Sequence, residues 1–185
     1  MSLTFLRRIG TAFLTLLACA GAPAHALEGM SLELGNGDGV DMARVGLQWG
    51  TWKAPWRWAQ GANWHLGGYF EGALGYWRYG GATQTQHGEL YELGLTPVMR
   101  VQPNSPRGPY VEAGLGVHLL SHSSIGDTRM STAFQFGNHI GVGYRFGATG
   151  SFDLGYRFQH LSNASIKSPN AGINFHQIRA QYNFQ

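Results

Sequence analysis

His160 and Ser162 stand two residues apart in the segment His160-Leu161-Ser162-Asn163, where polar side chains break into an alternating apolar run. A serine hydroxyl is a poor nucleophile until an adjacent base takes its proton, and an imidazole is a common base for that step. On a β-strand, residues i and i+2 share a face with α-carbons about 7 Å apart. Side-chain rotation then brings an imidazole nitrogen to the hydroxyl. A third group must hold the imidazole in one orientation and tautomer. Asn174 lies on the following alternating segment with the parity to do so, on the same face as His176. The chemistry that fits this set is acyl transfer through a serine ester.

The elements that must position these residues are strands. Period-two alternation recurs from end to end, helical periodicity is weak, and no stretch beyond the N-terminus approaches twenty apolar residues. The clearest runs are Val111-Ala113-Leu115-Val117-Leu119, Phe134-Phe136-Asn138-Ile140-Val142-Tyr144-Phe146, Phe152-Leu154-Tyr156-Phe158 and Ile178-Ala180-Tyr182-Phe184, with small or polar residues between. The polar face holds Arg145, Asp153, Arg157 and Arg179, which would be costly in a dry core but can pair in a narrow lumen. The greasy face ends in aromatics. That arrangement predicts a membrane barrel, apolar outside and polar within. Eight antiparallel strands are expected near 29–36, 40–51, 62–79, 88–101, 109–121, 131–147, 150–163 and 173–184. An eight-stranded interior is filled by side chains, which argues against a pore. Trp52 to Trp58 has the composition of an interfacial anchor. The chain ends on Tyr182-x-Phe184, similar to the C-terminal assembly signal of outer-membrane barrels. His160, Ser162 and Asn174 fall on the outward face.

Composition narrows the class further. Arg7-Arg8, the apolar run Ile9 to Ala18 and Ala24-His25-Ala26 read as a secretory signal peptide over residues 1–26, leaving 27–185 as a single barrel domain. Leu16-Leu17-Ala18-Cys19 also resembles a lipoprotein cleavage site, but cleavage after Ala26 is the simpler reading. Cys19 is the one cysteine, so disulfides do not hold the fold. Charged residues are 12% against 13% aromatic, about half the charge of a soluble domain, which disfavours a solvated globule. The formal charge of +3 is scattered, so no nucleic-acid footprint exists. His65, His87, His118, His122 and His139 lack ligand spacing, and neither a metal nor another cofactor is expected.

The run His160-x-Ser162-Asn163-Ala164, followed by Pro169-Asn170-x-Gly172-Ile173, resembles the lipid A 3-O-deacylases of the PagL type. The close match spans about fifteen residues, while the leader, length and strand number agree along the whole chain. The resemblance implies an eight-stranded outer-membrane esterase acting on lipid A of lipopolysaccharide. It implies His160 as general base, Ser162 as nucleophile, and an oxyanion hole built from Asn170 and the backbone near Ser165, with Asn163 in support. It also allows a homodimer. The family's triad acid, a glutamate, aligns with Asn174. Glu71, Glu89, Glu92, Glu112 and Asp153 offer no evident substitute, since Glu112 and Asp153 read as lumenal. Two readings follow: a serine ester hydrolase, or a catalytically weakened or inactive homologue with a lipid-binding or structural role.

Overall fold

The computed structural model describes residues 27–81 and 87–184; the expected leader with Cys19 lies outside them. The alternating segments form β1 (Gly29–Gly37), β2 (Val40–Lys53), β3 (Trp64–Tyr79), β4 (Glu89–Pro103), β5 (Gly108–Leu120), β6 (Ser124–Ile125), β7 (Thr128–Arg129), β8 (Phe134–Phe146), β9 (Phe152–Ser162) and β10 (Ile173–Asn183). Eight of them close a barrel in the order β1-β10-β9-β8-β5-β4-β3-β2, while β6 and β7 pair only with each other. Each barrel strand is antiparallel to its neighbours, and β1 seals against β10 from Gly29↔Asn183 to Asn36↔His176.

The wall is inverted relative to a soluble protein. Ile140 is 66% exposed, Leu154 53% and Ile178 57%, whereas Arg157 is 1% and Arg179 0%. Alternation sets this directly, because successive side chains point to opposite faces. Inside, Arg157 binds Glu33 (2.7 Å), Glu71 (2.8 Å) and Glu112 (2.6 Å), and Arg179 binds Glu71 (2.7 Å) and Glu33 (3.1 Å). Arg100 joins Glu112 (2.6 Å) to Asp153 (2.8 Å), and Arg44 joins Glu33 (3.0 Å) to Glu92 (2.8 Å). Buried charges survive only with such multiple partners. Arg145, expected in this network, makes no ion pair among the described residues. Its cross-strand neighbour Asp153 is taken by Arg100 and by a short hydrogen bond from Tyr110.

Polar filling stops short of the end of the lumen away from the chain termini. There Val40, Met42, Trp77, Leu90, Leu120, Ile125, Met130, Leu161, Ile173 and Phe175 form an apolar plug. Trp77 meets Phe175 edge-on at 4.8 Å, and its Nε1 donates to Glu92 (2.8 Å), where plug and charge network join. The lumen is polar as expected over most of its length, and this cluster closes one end of it. Leu161 and Ile173 are among its fully buried members, so the outer loop ends of β9 and β10 are anchored from inside.

The turn 38–39, the connection 121–133 and the β9–β10 loop crown one end, and 54–63, 104–107 and 147–151 lie with the termini. Asp38 and Gly39, at φ 52° and 77°, make the tight β1–β2 turn. The expected strand 131–147 begins only at Phe134: the β6–β7 hairpin precedes it, and Ser131, at φ 61°, breaks the extended backbone. At the opposite end, Trp56 and Trp58 stack at 5.6 Å with 54% and 73% of their surfaces exposed. Their place suits an interfacial anchor.

Candidate active site

On β9 the even-numbered residues face out, and the last two of them are His160 and Ser162, both half-buried. On β10 the outward residues begin with Asn174. The β9–β10 register sets Asn174 directly opposite His160, and the two side chains meet, His160 Nδ1 to Asn174 Oδ1, at 2.8 Å. An amide oxygen can only accept, so Nδ1 carries the proton and the Nε2 lone pair is left as a base. Ser162 shares this face, one residue pair nearer the loops. Its hydroxyl makes no hydrogen bond among the described residues and is free to turn. No carboxylate bonds His160 among the described residues.

The chain beyond Ser162 is fixed by Asn163. Its side chain is fully buried, and its Nδ2 donates to the carbonyls of Met130 and Lys167, each at 2.7 Å. The Asn163 backbone N–H donates to Asn170 Oδ1 (3.0 Å). Because that N–H requires an acceptor, the amide of Asn170 is oriented with Nδ2 as its remaining donor. Ala164 and Ser165 adopt φ of 52° and 65°, folding the loop back over the strand ends. Gly172, at φ 66°, abuts the imidazole: a β-carbon there would stand 2.8 Å from His160 Cε1. The Asn174 backbone N–H donates to Asp38 Oδ2 (2.9 Å), and Gly37 lies so close that a β-carbon would fall 1.5 Å from the Asn174 carbonyl oxygen. Both glycines are thus demanded by close approach.

The structure therefore brings His160, Ser162 and Asn174 to one outward patch and links Asn163 with Asn170 beside it. Ser165 is exposed on the same loop. Two further polar side chains face out here. His176 receives or gives a hydrogen bond with Tyr156 Oη (2.5 Å), and Asn138 on β8 stands opposite His160 on its other side. The parity of the run from Phe134 already placed Asn138 outward, but only strand register reveals what it faces. Elsewhere the fold stacks His87 on His122 with ring centroids 4.0 Å apart. Among the described residues no group of three metal-ligating side chains converges.

A family model described as lipid A 3-O-deacylase (PagL) matches residues 41–183. The chain belongs to this family. It is 37% identical over 172 residues to the lipid A deacylase PagL of Bordetella bronchiseptica, covering 91% of this chain and 90% of that protein. It is 32% identical over 136 residues to the lipid A deacylase PagL of Pseudomonas aeruginosa, covering 73% of each. The crystal structure of the outer membrane enzyme PagL superposes with a TM-score of 0.71 at 26% identity, over 84% of this chain and 99% of that one. Membership and the inverted wall together make this chain an eight-stranded outer-membrane β-barrel of the PagL family.

Proposed function

We propose that the chain is a serine ester hydrolase that removes the ester-linked 3-hydroxyacyl chain from position 3 of lipid A in lipopolysaccharide. The observation that carries this reading is the outward-facing His160, its Nδ1 held by Asn174 at 2.8 Å, with Ser162 on the same face. Two relatives that each cover most of this chain are named lipid A deacylases, which supports the same substrate. With the loops outside the cell, the patch lies at the level of the outer leaflet.

In the proposed reaction His160 Nε2 takes the Ser162 proton while Oγ attacks the ester carbonyl carbon. The carbonyl electrons move onto oxygen, and donors from Asn170 Nδ2 and the backbone around Ser165 stabilise the oxyanion. Collapse breaks the bond to the sugar oxygen, which takes the proton from the His160 imidazolium. Water, deprotonated by His160, then attacks the acyl-serine and releases the 3-hydroxy fatty acid and free Ser162. Asn174 fixes the tautomer that each step uses. Being neutral, it adds no charge to stabilise the imidazolium, and an Asp-to-Asn exchange in a serine protease triad costs on the order of 10⁴ in turnover. Asn174 therefore predicts a slow enzyme.

Mass spectrometry of lipid A from a Gram-negative host tests this. Expression of the native chain is expected to produce a species lacking one 3-hydroxyacyl group, and Ser162→Ala to abolish it. Unchanged lipid A with the barrel correctly inserted would favour the inactive, lipid-binding reading instead.

A further inference from the structure

We propose that Asn138 is the specificity-determining residue for the 3-hydroxyl of the acyl chain, an inference that rests on Ser162 being the nucleophile. Most outward polar side chains around His160 are already engaged. Asn174 holds the imidazole (2.8 Å), His176 is paired with Tyr156 (2.5 Å), and Asn170 accepts from the Asn163 backbone (3.0 Å). Asn138 is exposed and makes no hydrogen bond among the described residues.

Its position is set by register. Asn138 pairs with His160 and Phe136 with Ser162, so Asn138 is the diagonal neighbour of the nucleophile. Diagonal neighbours lie about 7–8 Å apart at Cα, within reach of side chains that lean together. The 3-hydroxyl of an acyl chain is two carbon–carbon bonds and one carbon–oxygen bond from the attacked carbonyl carbon, within about 4 Å of it. A chain descending the wall from Ser162 thus carries its hydroxyl past Asn138.

The chemistry matches as well. A carboxamide offers both a donor and an acceptor, as a hydroxyl does. The flanking outward residues on β8, Phe136 and Ile140, are apolar, and Ile140 is 66% exposed. A polar group on such a wall is expensive unless it is met by a partner. A chain bearing the hydroxyl supplies that partner, and an unsubstituted chain leaves the amide unpaired. Sites built this way reject the analogue that lacks the hydroxyl.

The test uses the full-length mature barrel in detergent micelles with two probes, the nitrophenyl esters of 3-hydroxydecanoic acid and of decanoic acid. The native protein is expected to prefer the hydroxylated ester by about tenfold or more in kcat/KM. Asn138→Leu should lose that preference, falling about 10- to 100-fold on the hydroxylated ester and less than about threefold on the other. Asn138→Thr, which restores a donor and acceptor, should recover part of the preference. The shift in gel migration between boiled and unboiled samples reports that each variant is folded. An equal fall on both esters, or no change on either, would overturn the role of Asn138. Hydrolysis that survives Ser162→Ala would instead overturn the hydrolase reading beneath it.

Discussion

Gly172 lies against the His160 ring so closely that an added β-carbon would stand 2.8 Å from Cε1 and 3.0 Å from the Leu161 carbonyl oxygen. Its φ of 66° adds a conformational demand that L side chains meet poorly. Gly172→Ala should therefore push the imidazole out of line with Ser162. Misplacement by about 1 Å costs on the order of 10² in rate, so fatty-acid release from lipid A should fall by roughly that factor. The barrel should lose only about 1–3 kcal/mol, seen as a modest drop in its thermal midpoint.

Asn174→Glu tests the neutral member of the proposed triad. A carboxylate in the same place would accept from Nδ1 and stabilise the imidazolium that forms during attack. Turnover should rise, by up to about 10²- to 10⁴-fold, while Asn174→Leu should fall below the native rate. If the glutamate variant is slower than the native protein, the asparagine serves a geometry that a carboxylate spoils.

Asn163→Ala removes the side chain that ties the Met130 and Lys167 carbonyls to the strand end, each at 2.7 Å. Leaving the buried Met130 carbonyl without this partner costs about 1–3 kcal/mol. The loss should be local. Limited proteolysis in 163–172 should speed up and hydrolysis should drop, while the boiled-versus-unboiled gel shift persists.

Arg157→Met removes the cation shared by Glu33, Glu71 and Glu112. Uncompensated buried charge costs about 3–5 kcal/mol, which should lower the urea midpoint of the folded barrel. Adding Glu112→Gln should recover part of that loss. Activity per folded molecule should stay near the native value, because the network lies inside the wall and the site outside it.

Much of this was legible in the sequence. Side chains alternate across a strand with a fixed period of two, so Phe152 to Phe158 alone placed His160 and Ser162 outward, and the same count placed Asn174. The strand bounds differ from expectation by a few residues, where breaks in the extended backbone such as Ser131 intervene. Pairing across strands was harder to read. That Asn138 faces His160 depends on the β8–β9 register, and that Arg157 reaches Glu33 depends on closure of the barrel across its lumen. The apolar plug escaped for a similar reason. Trp77, Leu161 and Phe175 are apolar at inward positions of separate strands, and no single segment shows that they converge.

The meeting of His160 with Asn174 across β9 and β10 has a consequence for timing. These are the last two barrel strands to leave the ribosome, and the second of them also closes the barrel on β1. Until that closing hairpin is in register His160 lacks Asn174 as its partner, and a slip of one residue would turn Asn174 from the wall into the lumen. On the proposed reading, catalytic competence therefore arrives together with closure of the barrel.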